Sequence, residues 1–328
     1  MILAGDIGGT NARIATFTIE GGRVHRGAEQ IYPTREHPNL ESALRAFLKT
    51  HLFKPEAACF GVAGPVRNGR AVMPNLGWTV EAASLAREVG IERVGVINDL
   101  EANAYGIAAL EEKDFAVLNP GAPDASGNAA VISAGTGLGE AGLYFDGRVH
   151  RPFACEGGHA DFAPADELQT EMLVWLRKEF KHVSWERVLS GRGIFNIYRF
   201  LRESGRGEEP AWLSEELKSG DPPAIITQAA VQKKSALCEM TIDILVTLYG
   251  AEAANLALKV MATGGIFIGG GVAPRILSKL QEPAFTRAFA DKGRMSDLLK
   301  AIPVKVILND NTALLGAARA AALAANLL

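Results

Sequence analysis

Hydrophobic and polar positions in the first hundred residues predict short strands that are separated by helices. Residues 2–19 contain an apolar run, a Gly-Gly break and an alternating segment, which together predict a hairpin with a glycine turn. Helical spacing of apolar residues predicts a helix over 39–52 with Asn39 as its N-cap. The same patterns predict strands over 57–63 and 94–97 and helices over 79–89 and 100–111. This order is typical of an α/β domain whose sheet carries an antiparallel extension.

A second strand, glycine turn and returning strand follow much later in the chain. Residues 129–134 predict a strand, 134–142 are rich in glycine, and 143–145 predict the returning strand. The recurrence indicates two duplicated α/β halves rather than a solenoid of short repeats, with a boundary near residue 110. The later patterns predict helices over 168–180, 193–201, 224–262 and 312–327, with Ser190 as the cap of the second. They also predict strands over 266–268 and 304–308 and a surface connection over 203–221.

Composition and charge exclude several classes of protein. The chain has 328 residues, with 34 Lys and Arg against 37 Asp and Glu, so its net charge of −3 does not favour a nucleic-acid partner. Cys59, Cys155 and Cys238 are widely spaced, which argues against a disulfide framework and against a cysteine zinc site. The apolar stretch 253–272 contains Lys259 and several glycines, so buried structure is expected rather than a membrane span. The N-terminus has no signal-peptide pattern, and we expect a cytoplasmic protein.

The segment from Asp6 to Asn11 has the features of a phosphate-binding turn. Successive backbone N–H groups in a Gly-Gly turn can surround an anion. A carboxylate beside phosphates needs an intervening cation, and Mg²⁺ is commonly held by one or two carboxylates together with phosphate oxygens. Asp6 is therefore a candidate magnesium residue. The alternative is a plain hairpin turn with a capping aspartate.

Two later glycine clusters are further candidates for a nucleotide site. The segment 134–142 contains the spacing of a dinucleotide-binding fingerprint, but that fingerprint requires a following helix, whereas a strand is predicted here. We therefore interpret it as a second phosphate turn. The cluster 264–271 is explained equally well by an adenine ring lying on bare backbone and by a tight crossing of helix and strand.

Polar residues that follow predicted strands are candidates for the chemistry. Asn98 and Asp99 come directly after a buried strand, where ligands bind in open α/β sheets, although either residue could instead cap the next helix. Glu156, His159 and Glu186 could bind a metal or the hydroxyls of a sugar. Gly157 and Gly158 make a helical metal-binding spacing improbable, so a hydroxyl cage is favoured.

The ordered set of motifs resembles the bacterial glucokinase family, within the superfamily of sugar kinases, actin and heat-shock-chaperone ATPases. The motifs are GDIGGTNAR, GVAGPV, PNLGW, INDLEAN, SAGTGLG, EGGHADFAP, ERVLSGRG, FIGGGVAPR and DNTALLGAA. The resemblance implies a two-domain α/β actin-like ATPase (ribonuclease H-like) fold with duplicated halves and a central cleft. It also implies a small domain, 1–109 completed by helix 311–328, and a large domain, 110–310. ATP and Mg²⁺ would be required, and the protein would be a cytoplasmic homodimer acting in glycolysis.

The resemblance further implies a role for individual residues. Asp99 would be the general base in phosphorylation of the C6 hydroxyl of D-glucose to glucose 6-phosphate. The implied sugar-binding residues are Asn75, Asn98, Glu156, His159 and Glu186. The implied nucleotide-binding residues are Asp6, Gly8, Gly9, Thr10 and Asn11 in the first phosphate turn, Gly135, Thr136 and Gly137 in the second, and Gly269 and Gly270 near adenosine. No zinc is expected, because DFAPADE follows the Glu156–His159 segment where a related kinase and repressor family has a cysteine-rich motif.

Three other interpretations stay open. The chain could be a kinase for mannose, fructose or an N-acetylated amino sugar, since Cys155 and Arg192 depart from the family pattern near the sugar-binding motifs. It could be a sugar-sensing regulator without turnover, although such proteins usually lack the base or carry a DNA-binding extension. It could also be a structural ATPase, which would leave the EGGH and ERVLSG motifs unexplained.

Overall fold

The computed structural model describes residues 1–73 and 76–328. Its strands are β1 (Ile2–Ile7), β2 (Asn11–Glu20), β3 (Arg23–Pro33), β4 (Ala57–Val62), β5 (Val66–Arg67), β6 (Arg70–Met73), β7 (Trp78–Glu81), β8 (Val94–Asn98), β9 (Phe115–Asn119), β10 (Ala129–Ala134), β11 (Leu138–Phe145), β12 (His150–Cys155), β13 (Gly265–Gly269) and β14 (Val304–Ile307). Its α-helices are α1 (Leu40–Thr50), α2 (Ala82–Val89), α3 (Asp99–Ile107), α4 (Glu167–Leu176), α5 (Gly191–Glu203), α6 (Ala211–Ser219), α7 (Pro222–Val231), α8 (Ala236–Val260), α9 (Leu277–Leu280), α10 (Pro283–Ala290), α11 (Ser296–Lys300) and α12 (Thr312–Ala324).

The described residues divide into two units. The first unit contains Met1–Asp114, Arg151–Ala154 and Asn309–Leu328, and the second contains Phe115–His150 and Cys155–Leu308. Each unit has its own main sheet, and the first also contains the small sheet β5-β6-β7.

The sheet of the first unit has the order β3-β2-β1-β4-β8. Strands β1 and β2 form the predicted antiparallel hairpin, whereas β1, β4 and β8 are parallel. Ile2 and Ala4 on β1 belong to a cluster with α12, and Leu3 belongs to a cluster with α1 and α2 on the opposite face. Because helices cover both faces, β1 is almost wholly buried. Asn39 caps α1 as predicted, since its side chain accepts a hydrogen bond from the Ser42 N–H at 2.9 Å.

Helices α3 and α12 of the first unit cross at glycines. A Cβ on Gly106 would overlap the Thr312 carbonyl, and one on Gly316 would overlap the Ala102 carbonyl. The close approach therefore depends on the missing side chains. This crossing packs α12 against α3, which lies more than two hundred residues earlier in the chain.

The second unit repeats the strand pattern of the first. Strands β10 and β11 form an antiparallel hairpin, and β10, β13 and β14 are parallel, so the order is β11-β10-β13-β14, followed by the antiparallel β9. Both sheets therefore contain the same arrangement, a hairpin whose first strand also pairs with a parallel strand, as the predicted duplication of α/β halves requires. Helix α8 is long and apolar enough to cross a membrane by length and composition alone. However, 72% of its most apolar window is buried, and α5, α7 and α10 pack against it.

Two predicted boundaries are wrong. The helix predicted from Thr79 begins at Ala82, because residues 78–81 pair with β6 as strand β7. The returning strand predicted at 143 begins at Leu138, directly after the glycine turn.

Two predictions for the helical region are also wrong. The single helix predicted over 224–262 is interrupted after α7, where Lys233 has a positive φ and Ser235 caps the next helix, α8. The predicted surface connection over 203–221 contains α6, whose Leu213 is completely buried.

Candidate active site

The carboxyl ends of three parallel strands lie together at one edge of the first sheet. The register pairs Ile7 with Val62 and Val62 with Asn98. Because neighbouring strands lie about 4.8 Å apart, the backbones of Ile7 and Asn98 are about 10 Å apart. The first glycine turn follows Ile7 and helix α3 follows Asn98, so both begin at this edge.

The first glycine turn is supported by a residue outside it. The Gly8 N–H donates to the Asn11 carbonyl at 2.9 Å, which closes the turn. Thr34, which is 2% exposed, donates its N–H to the Thr10 carbonyl and its hydroxyl to the Gly9 carbonyl, both at 2.9 Å. Gly9, Thr10 and Asn11 are exposed. The turn is therefore held from beneath while its outer side is open.

Asp6 lies on β1 directly opposite Arg13 on β2. Burial raises the pKa of the Asp6 carboxyl, and the positive charge of Arg13 lowers it by a smaller amount. Arg13 is itself held by the Asn311 amide oxygen at 2.6 Å and by Glu29 at 3.6 Å. A carboxylate whose charge is only partly compensated is suited to a cation, so Asp6 fits the predicted magnesium residue.

Asn98 is the N-cap of α3. Its side-chain oxygen accepts hydrogen bonds from the N–H groups of Leu100 at 2.8 Å and Glu101 at 3.4 Å, and its amide nitrogen donates to the Gly64 carbonyl at 3.0 Å. Of the two capping residues considered, Asn98 therefore makes the cap. Asp99 is the first residue of α3, and its Oδ1 accepts from the Leu100 N–H at 3.0 Å. The positive end of the helix dipole favours an anionic carboxylate at this position.

The second glycine turn is attached to the beginning of a helix. The Gly135 N–H donates to the Gly137 carbonyl at 2.8 Å, and the Gly191 N–H donates to the Gly135 carbonyl at 2.7 Å. Ser190 caps α5 by accepting from the Gly193 N–H at 3.0 Å, as predicted. A helix N-terminus beside bare backbone favours anions such as phosphate.

Glu186 lies against the second glycine turn. Its Oε2 accepts a hydrogen bond from the Leu138 N–H at 3.0 Å, and a Cβ on Gly137 would overlap the same oxygen. The carboxylate therefore fixes the peptide that ends the turn and takes the space of the absent side chain.

Gly269 and Gly270 also pack tightly against the end of β10. Gly270 has a φ of +81°, and a Cβ on it would overlap the Ala134 carbonyl oxygen. The Tyr249 hydroxyl accepts from the Ala134 N–H at 3.1 Å and donates to the Gly269 carbonyl at 3.2 Å. A tight crossing is therefore present at these two glycines, while Gly271 beside them is exposed and has open space around it.

Glu156 precedes a short 3₁₀ turn, Gly157–His159, and the side chains of Glu156 and His159 are both exposed. The glycines between them face inward, because a Cβ on Gly157 would overlap the Glu140 carboxyl and one on Gly158 would overlap the Leu138 carbonyl. The loop thus presents two polar side chains while its backbone lies directly on β11.

Each unit brings together part of the predicted site. The first unit contains the first phosphate turn with Asn98 and Asp99, and the second contains the second turn with Glu186 and Gly269–Gly270. Asn75 lies outside the described residues. Sequence reasoning missed Thr34, Glu140 and Tyr249, which hold the site residues from beneath. For Glu140, the sequence does carry a signal, because a glutamate within the apolar strand β11 is unusual.

Comparison with known proteins identifies the family. The glucokinase family model matches residues 3–324. A glucokinase from Nostoc punctiforme is 40% identical over 98% of this chain and 99% of its own length. The chain belongs to the glucokinase family.

Solved structures agree with the glucokinase assignment. A glucokinase from an Antarctic psychrotroph superimposes with a TM-score of 0.85 at 33% identity, covering 98% of each chain. A ROK-family glucokinase from Streptomyces griseus, solved with glucose and AMPPNP, has a TM-score of 0.63 at 23% identity and covers 98% of this chain and 99% of its own, which indicates a shared fold. The predicted family and the predicted α/β actin-like sugar-kinase fold are confirmed.

Proposed function

We propose that the protein transfers the γ-phosphoryl group of ATP to the C6 hydroxyl of D-glucose and so forms glucose 6-phosphate. Membership of the glucokinase family supports this proposal. The observation that carries it is the position of Asp99. This carboxylate begins α3 at the sheet edge where the first glycine turn also begins. A base and a phosphate turn at one edge suit phosphoryl transfer to an alcohol.

Asp99 is the proposed general base. Phosphoryl transfer passes through a loose transition state, so that positioning and charge stabilisation contribute most of the rate enhancement. Asp99 accepts the proton of the C6 hydroxyl as the oxygen attacks phosphorus. The cap made by Asn98 fixes the first turn of α3 and with it the backbone that carries Asp99.

The two glycine turns are the proposed phosphate sites. In this proposal Gly8–Asn11 and Gly135–Gly137 bind phosphate oxygens through backbone N–H groups, and Gly269 and Gly270 lie near adenosine. Asp6 would hold Mg²⁺ through its carboxylate or an intervening water. When bound, Mg²⁺ neutralises charge on the phosphate oxygens. The positive charge of Arg13 offsets part of the cost of burying the Asp6 carboxylate.

The proposed sugar site combines exposed and internally bonded side chains. Glu156 and His159 are exposed and can exchange hydrogen bonds with hydroxyls. Asn98 offers its amide group, and Glu186 offers its carboxylate from the edge of the second turn. Asn75 completes the proposed set.

We also propose a cytoplasmic homodimer that acts in glycolysis without zinc. The three cysteines are free thiols, which suits a reducing compartment. The proposed domains are 1–109 with 311–328, and 110–310.

A coupled assay with ATP and a panel of hexoses tests the proposed function. We expect phosphorylation of glucose, with galactose strongly disfavoured because an epimer leaves the polar groups of the site without partners. Equal kcat/KM for glucose and galactose would contradict the hydroxyl cage. Faster turnover of mannose, fructose or an amino sugar would favour another hexose kinase. ATP hydrolysis that is independent of sugar would favour a structural ATPase, and sugar binding without turnover would favour a regulator.

A further inference from the structure

Two buried carboxyl groups lie beneath the Glu156–His159 loop of the second unit. Glu140 on β11 is 1% exposed, and Glu252 on α8 is fully buried. Within the described part of the chain, the Oε1 atom of each accepts no hydrogen bond, and the Lys259 Nζ lies 3.6 Å from that of Glu252. Leaving two buried carboxylate oxygens without donors is costly, so this arrangement requires a physical explanation.

A shared proton provides that explanation. The side chains of Glu140 and Glu252 interact electrostatically in this buried region, and two ionised carboxylates can only accept hydrogen bonds. Glu252 has partners suited to an anion, because the Asn255 amide donates to it at 2.7 Å and Lys259 lies 3.6 Å away. Burial, followed by the charge of Glu252, raises the pKa of Glu140 to about 8. The direction of this shift favours the neutral form of Glu140, which can donate a hydrogen bond to Glu252.

The protonated carboxyl also supports the loop. The Glu140 carboxyl occupies the space that a side chain at Gly157 would fill. A Cβ on Gly158 would likewise overlap the Leu138 carbonyl on the same strand. The backbone between Glu156 and His159 therefore lies directly on Glu140, and any movement of this carboxyl moves the loop.

The charged groups around the pair favour a single proton. Helix α8 contributes Glu252, Lys259 and Tyr249, and the residue before the loop contributes Cys155. Lys292 interacts electrostatically with Glu252 and Lys259. With one proton shared, the negative charge of the pair is balanced by Lys259. Without that proton, a second negative charge is buried beneath the loop.

We propose that Glu140 and Glu252, sharing one proton, position the Glu156–His159 loop for sugar binding, with Glu140 as the positioning residue. This inference rests on the proposed function of the same loop. Loss of the proton places two like charges side by side, which pushes the Glu140 carboxyl against Gly157 and displaces the loop. Glucose therefore binds the form in which the pair holds its proton.

The decisive measurement is the KM for glucose and the calorimetric Kd for glucose between pH 6.5 and 9.5. In the unaltered protein we expect both to rise about tenfold from pH 7 to pH 9, because the protonated fraction falls by that factor, with kcat at saturating glucose little changed. Glu140→Gln imitates the neutral acid, since its amide N–H can donate to Glu252, and should give a flat profile. Glu215→Gln, an exposed carboxyl on α6 of the same unit, is the matched control and should follow the unaltered protein.

A second measurement needs no variant. At pH 8, glucose binding by the unaltered protein should take up about half a proton, measured by calorimetry in buffers of different ionisation enthalpy. A Glu140→Gln protein that retains the original pH profile, or binding without proton uptake at pH 8, would overturn the inference. Absence of glucose phosphorylation at pH 7 would instead contradict the proposed function, and the proton uptake on binding would still test the carboxyl pair.

Discussion

The two glycine turns follow equivalent strands in equivalent hairpins, yet their surroundings differ. At the first turn, Gly9 has open space where a side chain would be, and support comes from Thr34 beneath. At the second turn, Glu186 fills the space beside Gly137, and Gly270 lies against the end of β10, the strand that leads into this turn. The same topology thus gives an open edge at the first turn and a filled edge at the second turn. Substitutions at the open edge should change activity, and those at the filled edge should change stability.

The largest expected effect is on activity at the open edge. Asp99→Asn removes the proposed base and should lower kcat by about 10²–10⁴-fold while glucose still binds. Loss of a negative charge at the start of α3 should lower the free energy of unfolding by less than about 1 kcal/mol. Steady-state kinetics and thermal unfolding of the same sample measure both quantities. A kcat within a few-fold of normal would show that another group accepts the proton.

The next effect is on stability at the filled edge. Gly270→Ala places a methyl group against the Ala134 carbonyl at a φ of +81° and should lower the free energy of unfolding by about 2–4 kcal/mol. Calorimetry should show a lower Tm. An unchanged Tm would mean that the two edges are equally open, and the contrast between them would be lost.

The smallest effect is expected at the first turn. Gly9→Ala meets no atom within 4 Å, so the free energy of unfolding should stay within about 0.5 kcal/mol. If phosphates bind here, the new methyl group should raise the KM for ATP several-fold without changing the Tm. An unchanged KM for ATP would show that this turn does not bind the nucleotide. Gly271→Ala, at another glycine with open space around it, is the control variant.

Features that depend on neighbouring residues could be predicted from the sequence. The β1–β2 hairpin and the caps made by Asn39 and Ser190 are confirmed, because a turn or a cap uses residues within a few positions of each other. The motif order also predicted the family. The roles assigned to Asp99 and the other site residues stay predictions.

Features that depend on distant partners could not be predicted. Thr79 begins no helix because β6 pairs with its segment, and that pairing is a tertiary contact. The electrostatic interaction between Glu140 and Glu252 joins a strand and a helix more than a hundred positions apart. The division of the chain at 1–109 with 311–328, and 110–310, stays a prediction.

The position of α12 has a consequence for synthesis on the ribosome. This helix covers one face of the first sheet, but it is translated only after nearly two hundred residues of the second unit. At about 5–20 residues per second, that delay is on the order of 10–40 s. During this interval Ile2, Ala4 and Phe17 have no covering partner, so the nascent N-terminal region exposes an apolar surface of the kind that chaperones bind.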